Sequence, residues 1–451
     1  MLAGLRRLPP LRFRHPGQYI ATAFVGASLV GTGLLLLPPA SHDPGPAPLL
    51  TALFTATSAV CVTGLVVVDT GTYWTGFGQV IILALIQIGG LGIMTMSSLV
   101  AVLLARRIGL RHRLVTAAEK SILELGDVRE LAVRVAVFSL LTEVVVALVL
   151  GLRFWMAHDA AAGRAATLGV FHAVSAFNNA GFSLFRDSLA GVALDPFLLL
   201  VVAAAVITGG LGYPVWVDIA RRPRRPGQWS LHAKLTVSST LVLLVAGWAL
   251  LTWFEWTNPR TLGGMSVGDS IVNAFFHSVT PRTAGFETLQ IADLREPSRL
   301  LTEVLMFIGG GSASTAGGIK VTTFALLGWV MWAEARGDPD VVVFDRRVPG
   351  TAQRQALTVA LLAVGVVVAA TMALMSLGGL PRDDLFFETV SALGTVGLST
   401  GVTPSLSTGS QLLVVGLMLL GRVGPVTLFA ALVLRERVRR YRHPEERPII
   451  G

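Results

Sequence analysis

The sequence predicts an all-α integral membrane protein: eight transmembrane helices plus four re-entrant pore half-helices, arranged as four helix–pore loop–helix repeats around a pseudo-fourfold axis. Three observations carry this reading. Hydrophobic residues make up 53% of the 451-residue chain and charged residues only 14%, with a mean hydropathy of +0.68; a soluble domain carries about 25% charged residues. A single phrase recurs four times without gaps, as FTATSAVCVTGL (Phe54 to Leu65), FHAVSAFNNAGF (Phe171 to Phe182), FFHSVTPRTAGF (Phe275 to Phe286) and FETVSALGTVGL (Phe387 to Leu398). Basic residues gather at both termini and after every second apolar stretch.

A membrane span needs about 20 mostly apolar residues. Eight such stretches lie near 20–37, 79–105, 131–151, 196–217, 235–254, 299–333, 356–376 and 411–434. Met1 to Gly17 holds Arg6, Arg7, Arg12 and Arg14 but no small-residue cleavage site, so the first helix is expected to stay. Most of the 36 lysines and arginines fall in the N-terminus, 106–134, 221–234, 336–354 and the C-terminus from Arg435. This is the positive-inside pattern. It predicts a multi-pass protein of the cell (inner) membrane with both termini cytoplasmic, and it accounts for the net charge of +9 without a nucleic-acid partner.

Each unit between basic segments must therefore cross and return. A third full crossing at the phrase would reverse the charge bias, so each phrase is expected to dip in and come back on the same side. Irregular backbone at that depth is tolerated only when buried in protein or facing water. The repeats read as 18–110, 128–222, 232–335 and 352–436, between cytoplasmic termini 1–17 and 437–451. One cysteine, Cys61, excludes an internal disulfide framework and any multi-cysteine metal site.

Every phrase starts with phenylalanine and reaches a glycine ten residues later, at Gly64, Gly181, Gly285 and Gly397. Main-chain carbonyls gathered around one axis can replace the water of a monovalent cation without a fixed negative charge, and glycine lets the chain turn because it tolerates positive φ. The expected lining is Cys61, Val62, Thr63 and Gly64; Asn178, Asn179, Ala180 and Gly181; Thr283, Ala284 and Gly285; and Thr395, Val396 and Gly397. None of these is Asp or Glu, which disfavours a divalent-cation ring. Four unrelated Ser/Gly turns would be the plainer explanation, but the shared spacing argues against it.

About 25 residues after each glycine a second cluster is expected to interrupt the returning helix: Gly89-Gly90-Leu91-Gly92, Gly209-Gly210-Leu211-Gly212, Gly309-Gly310-Gly311 and Gly421-Arg422-Val423-Gly424. Packing explains any one pair, whereas the common offset favours structural equivalence. In the third unit Gly309, Gly310, Gly311, Ser312, Ala313, Ser314, Thr315, Ala316, Gly317 and Gly318 are a poor helix within a stretch too long for one straight span. They predict a flexible loop below the filter, with a wide kink for packing as the alternative. Lys320, just past it, anchors the loop or meets inner-leaflet phosphates.

An arginine inside a span is costly unless paired or hydrated. Arg422 is expected under the filter, bound to a carbonyl or carboxylate and limiting ion flow. Arg282 and Glu388 are candidates to pair between adjacent repeats, and Glu143 to find an internal partner. His172 and His277 are expected to begin their pore helices as capping or packing groups. An intramembrane enzyme would need a nucleophile–base pair or paired carboxylates at one depth; the eight histidines are scattered and no HExxH is present, so no enzyme is expected. Inverted-repeat transporters also use broken helices, but these four repeats share one orientation. The run Arg435, Arg437, Arg439, Arg440 and Arg442 reads as lipid anchoring, with contact to a cytosolic ring or a second protomer as the alternative.

The segments FHAVSAFNNAGF, SVTPRTAGF, SALGTVGLSTG, GGSASTAGGIK and GRVGPVTL resemble the Trk/Ktr/HKT superfamily of potassium transporters over nearly the whole chain. Eight spans and a short N-terminus make it most similar to the Ktr membrane subunit. The resemblance implies K+ as the transported ion, Na+ as an activating or coupled ion in several members, and no organic cofactor in this chain. It further implies a homodimer, a KtrA-like cytosolic nucleotide-binding regulatory ring as partner, and a pore blocked by 309–318 as an intramembrane gating loop. In plant relatives a serine at the first filter glycine accompanies sodium selectivity, so Gly64 implies potassium. A sodium-permeable or non-selective monovalent cation channel or secondary transporter stands as the alternative. Cys61 occupies a place where threonine or a similar residue is expected; its carbonyl would serve equally, while its side chain would alter the outer ring.

Overall fold

The computed structural model describes residues 16–112 and 125–434. The basic runs Arg6 to Arg14, Arg113 to Lys120 and Arg435 onward lie outside the described residues. The chain reads as four successive groups of helices. The first holds α1 (Pro16–Leu35), the short α2 (Leu49–Val60), a single turn α3 (Thr70–Tyr73) and α4 (Gly76–His112). The second has α5 (Leu125–Ala157), the short α6 (Ala162–Phe177), α7 (Pro196–Leu211) and α8 (Tyr213–Arg221). The third has α9 (Leu231–Glu255), the short α10 (Val267–Val279), α11 (Glu296–Phe307) and α12 (Val321–Arg336). The fourth has α13 (Gly350–Leu377), the short α14 (Arg382–Gly394) and α15 (Thr408–Leu434). Among the described residues the one sheet is a hairpin, β1 (Val342–Val343) against β2 (Arg346–Arg347).

Local chemistry sets several helix starts. Asp195, Ser230 and Ser266 accept a hydrogen bond from the backbone N–H three residues on, at α7, α9 and α10, satisfying a donor the first turn cannot pair. Pro48 and Pro381 precede α2 and α14. All four short helices end inside the protein, and each carries the first part of a recurring phrase.

The surface is apolar and the centre is polar. On α5, Leu140, Leu141, Val144, Val145 and Leu148 are exposed, and on α13 so are Leu361, Leu362, Val364, Val368 and Met372. Thr57, Ser58, Asn178, Ser278 and Glu388 are fully buried. Exposed apolar area of this extent marks a lipid-facing surface, because hydrocarbon tolerates apolar side chains but no unpaired backbone. Among the described residues four helices are long and apolar enough to cross a membrane: Gly76–Met96, Arg129–Ala157, Leu231–Glu255 and Gly350–Leu377. Taken together, α7 and α8 have the length and apolarity of a further span but are bent by 96° at Gly212, and Ile20–Leu35 and Thr408–Gly424 are apolar but shorter.

The expected interruption of every returning helix needs correction. Helix α4 runs unbroken through Gly89–Gly92, and α15 through Gly421–Gly424. Only the second and third units break, at Gly212 (φ +87°) and between Phe307 and Val321. The shared glycines serve close approach instead. A β-carbon on Gly89 would lie 2.0 Å from the Val60 carbonyl oxygen, on Gly209 1.8 Å from that of Phe177, and on Gly421 2.0 Å from that of Leu393. Val60, Phe177 and Leu393 hold the same place in their phrases, so the glycines seat the ends of three short helices. In the third unit Gly309 faces the Gly317 carbonyl of the loop instead. The histidines also differ from expectation: His172 and His277 lie in the second halves of α6 and α10, not at their starts.

Candidate functional site

The four phrases meet. A β-carbon on Gly64 would come within 2.5 Å of the Ala180 carbonyl oxygen, on Gly181 within 2.8 Å of that of Ala284, on Gly285 within 2.3 Å of that of Val396, and on Gly397 within 2.2 Å of that of Thr63. The contacts run from unit one to two, three, four and back to one. They close a ring in which each glycine abuts the next unit's carbonyl, and no side chain larger than hydrogen fits there undisturbed.

Backbone turns explain the closure. Val62, Asn179, Thr283 and Thr395, at one equivalent place in the phrases, have φ of 54°, 56°, 72° and 50°, and the four glycines have φ of 93°, 69°, 74° and 99°. Helices α2, α6 and α14 thus close on a left-handed residue, as in the common closing turn of helices, whereas in the third unit a further turn separates the end of α10 at Val279 from Thr283. The residue between pairs back: Thr63 N–H to the Ser58 carbonyl at 2.8 Å, Ala180 to Ser175 at 2.7 Å and Val396 to Ser391 at 2.9 Å. In the third unit Gly285 N–H reaches the Thr280 carbonyl at 3.3 Å.

Side chains behind the turns brace them. Ser58 and Ser391 hydroxyls accept the Gly64 and Gly397 N–H groups, both at 3.1 Å. Ser175 and Thr280 hydroxyls donate to the carbonyls of Phe182 and Phe286, both at 2.7 Å. The hydroxyls of Thr63, Thr283 and Thr395 are buried with no hydrogen-bond partner among the described residues. Sequence reasoning missed both the left-handed residues and the bracing serines. The serine had a signal, since it stands fifth in three of the four phrases; the left-handed turn had one only at Asn179, because valine and threonine argue against it.

Two expected lining residues send their side chains away from the ring. Cys61 is buried in an apolar cluster with Phe54, Leu65, Leu374 and Val414, so its thiol does not reshape the ring. The Asn178 amide nitrogen donates to Gln87 and Glu143, both at 3.0 Å, and Gln87 donates to both Glu143 oxygens at 3.0 and 3.1 Å. Glu143 thereby has its internal partners. Arg282 and Glu388 do not pair. Arg282 donates to the Thr240 carbonyl and hydroxyl at 3.3 and 3.1 Å, and Glu388 accepts from Ser399 and Thr403. They sit on different sides of their short helices' ends, out of mutual reach.

Against one end of the ring lies the 309–318 segment. Its base is tied by Gly309 N–H to the Ile319 carbonyl at 2.8 Å and Val321 N–H to that of Gly310 at 2.9 Å. One flank holds the second unit: Gly311 N–H reaches the Gly210 carbonyl at 2.8 Å, and the Thr315 hydroxyl donates to the Phe177 carbonyl at 3.2 Å. The Asn179 side-chain amide lies within hydrogen-bond distance of that hydroxyl, at 3.0 Å. The other flank meets the fourth unit, where a β-carbon on Gly317 would lie 1.8 Å from the Thr395 hydroxyl oxygen. Lys320 donates to the Ala316 carbonyl at 2.5 Å.

Buried Arg422 donates to the Thr315 carbonyl at 2.5 Å, with its other terminal nitrogen 3.5 Å from the Gly89 carbonyl. It therefore joins the loop to the first and fourth units. At the opposite end of the ring opens a cavity of about 240 Å3, lined by Gly64, Gly181, Gly285 and Gly397 with Glu287 and Ser399.

A helical bundle with an apolar exterior and a polar ring of four converging backbone turns defines an integral membrane protein of the cation-transport class. The model of the TrkH family, described as cation transport protein, matches residues 4–437, and the chain belongs to that family. It is 42% identical over 419 residues to the Ktr system potassium uptake protein B of Bacillus subtilis, covering 92% of each chain. It is 38% identical over 442 residues to the potassium/sodium uptake protein NtpJ of Enterococcus hirae, covering 97% of each. The crystal structure of the potassium transporter TrkH from Vibrio parahaemolyticus has the same fold, with a TM-score of 0.72 at 19% identity over 96% of this chain and 86% of that one.

Proposed function

We propose that this protein takes up potassium across the cell membrane through a central pore whose selectivity filter is the ring of Thr63–Gly64, Ala180–Gly181, Ala284–Gly285 and Val396–Gly397. One observation carries the reading: the closed cycle of glycine–carbonyl contacts, which brings main-chain oxygens of four units together with no carboxylate in the ring itself. Such a ring dehydrates a monovalent cation by substituting carbonyls for water. The names of its relatives, a potassium uptake protein and a potassium/sodium uptake protein, support potassium as cargo, with sodium as activator or coupled ion.

In this reading the four short helices are re-entrant pore helices between eight spans, and the basic segments put both termini in the cytoplasm. The loop 309–318 is then the gate on the cytoplasmic side of the filter, held shut by Arg422 and Thr315. The Ktr system names of two relatives support a further component as partner; in this reading it is a cytosolic nucleotide-binding ring, the chain works as a homodimer, and the C-terminal arginines rest on anionic lipid.

The test is growth and uptake rescue in cells lacking potassium transport, with and without sodium, for the native chain and for Gly64→Ser. A β-carbon at Gly64 collides with the Ala180 carbonyl, so the serine must displace one filter oxygen. The expected result is rescue by the native chain and a loss of potassium selectivity in the variant. Unchanged selectivity in an assembled variant rejects the filter.

A further inference from the structure

Two residues beyond each ring glycine stand Val66, Ser183, Glu287 and Ser399. All four line the cavity that opens from the ring on the side away from the loop. Of these equivalent positions, one carries a carboxylate. Glu287 is held rigidly: its N–H donates to the Ser188 hydroxyl at 3.0 Å, its carbonyl accepts the Leu189 N–H at 2.8 Å, and its Oε1 accepts the Ser399 N–H at 3.0 Å. Its Oε2 has no hydrogen-bond partner among the described residues. The hydroxyls of Ser183 and Ser399 are engaged elsewhere, with His172 and Ser188, and with Glu388 and Thr403. The carboxylate is thus the group in this outer tier still able to bind a cation.

We propose that Glu287 forms a capture site for a partly hydrated monovalent cation at the outer mouth of the ring, and that protons compete for it. The proposal rests on the pore reading above and adds a binding site outside the filter. A fixed charge beside a narrow mouth raises the local cation concentration, and a carboxylate oxygen suits a hard monovalent ion that still keeps part of its water. The other charged groups around the cavity are Asp69, Arg186 and Asp187 on its rim and Glu388 behind Ser399. Burial, then the neighbouring Glu388 charge, push the Glu287 carboxyl up to about 8 against the Ser399 N–H, which favours its charged form. A carboxyl raised in this way is protonated below that pH and charged above it, so cation capture is lost as external pH falls through about 8.

The experiment uses the full-length protein reconstituted in proteoliposomes, with K+ uptake measured against external pH for the native chain, Glu287→Gln and Gly64→Ser. In the native chain the half-saturating K+ concentration is expected to rise roughly three- to tenfold as external pH drops from about 9 to about 6, the scale of one carboxylate acting on a nearby monovalent charge in a wet site. Glu287→Gln should show the raised value at every pH, its half-saturating concentration changing by more than its maximal rate. A Glu287→Gln protein that keeps the native values and pH profile overturns the proposal. If that variant does not assemble, a flat native profile overturns it equally. A shifted selectivity in Gly64→Ser beside an indifferent Glu287→Gln removes the capture site and leaves the filter; indifference of both removes the filter as well.

Discussion

Val62, Thr283 and Thr395 hold a left-handed backbone conformation that β-branched residues rarely enter, at a cost on the order of 1–3 kcal/mol each. The ring glycines relieve a different constraint, since any side chain there meets a carbonyl of the next unit. Gly397→Ser is therefore expected to lower thermal stability by roughly 1–3 kcal/mol and to reduce K+ over Na+ selectivity, read by melting in detergent and by competitive uptake. Ser391→Ala leaves the buried Gly397 N–H without its acceptor, a loss of about 1–3 kcal/mol. Its melting temperature should fall while Ser405→Ala, at an exposed hydroxyl, stays near the native value; equal melting of the two variants would remove the bracing role.

The loop between α11 and α12 is tied separately at its base, along the flank that meets α7, and at its tip. Arg422 and the Asn179–Thr315 contact hold its tip, while two main-chain hydrogen bonds close its base. A hydrogen bond to a charged group contributes about 1.5–3 kcal/mol, enough to shift a closed population by roughly ten- to a hundredfold. Arg422→Ala is expected to assemble normally and to raise uptake at low K+ by up to that factor, with Thr315→Val moving the same way by less. Uptake kinetics identical to the native chain in an assembled Arg422→Ala protein would discard the latch. The end of α7 at Leu211, the bend of 96° before α8 and Pro214, which has no N–H to offer the Gly210 carbonyl, leave the Gly209 and Gly210 carbonyls free to receive this loop.

Across the whole molecule, Asp195 ties α5 to the start of α7 through Arg153 at 2.8 Å and His158 at 2.9 Å. Burial by itself would raise the Asp195 carboxyl; bonds from Arg153, His158 and the Leu198 N–H outweigh it and hold the carboxyl below its ordinary range. A depressed carboxyl adds stability above its unfolded value, and that stability is lost as pH falls through the folded one. Asp195→Asn should therefore melt below the native protein at neutral pH, with the gap closing as pH drops below about 4. A gap that persists unchanged at acid pH would mean that the ion pair does not supply it.

Composition and hydropathy were sufficient to assign a helical membrane protein, because lipid contact demands apolar side chains along whole helices regardless of how they pack. The phrases were legible for the same reason: four copies of one spacing need no third dimension to be counted. The sequence also marked Arg422 and the 309–318 glycines as anomalies, since charge and weak helix formers inside a span are costly wherever they fall. Tertiary structure alone decided that each glycine meets the next unit's carbonyl, that two glycine clusters seat helices without breaking them, and that Arg282 and Glu388 turn to different partners. Those outcomes depend on which residues distant in the chain arrive within a few ångströms of each other, and no local pattern encodes that distance.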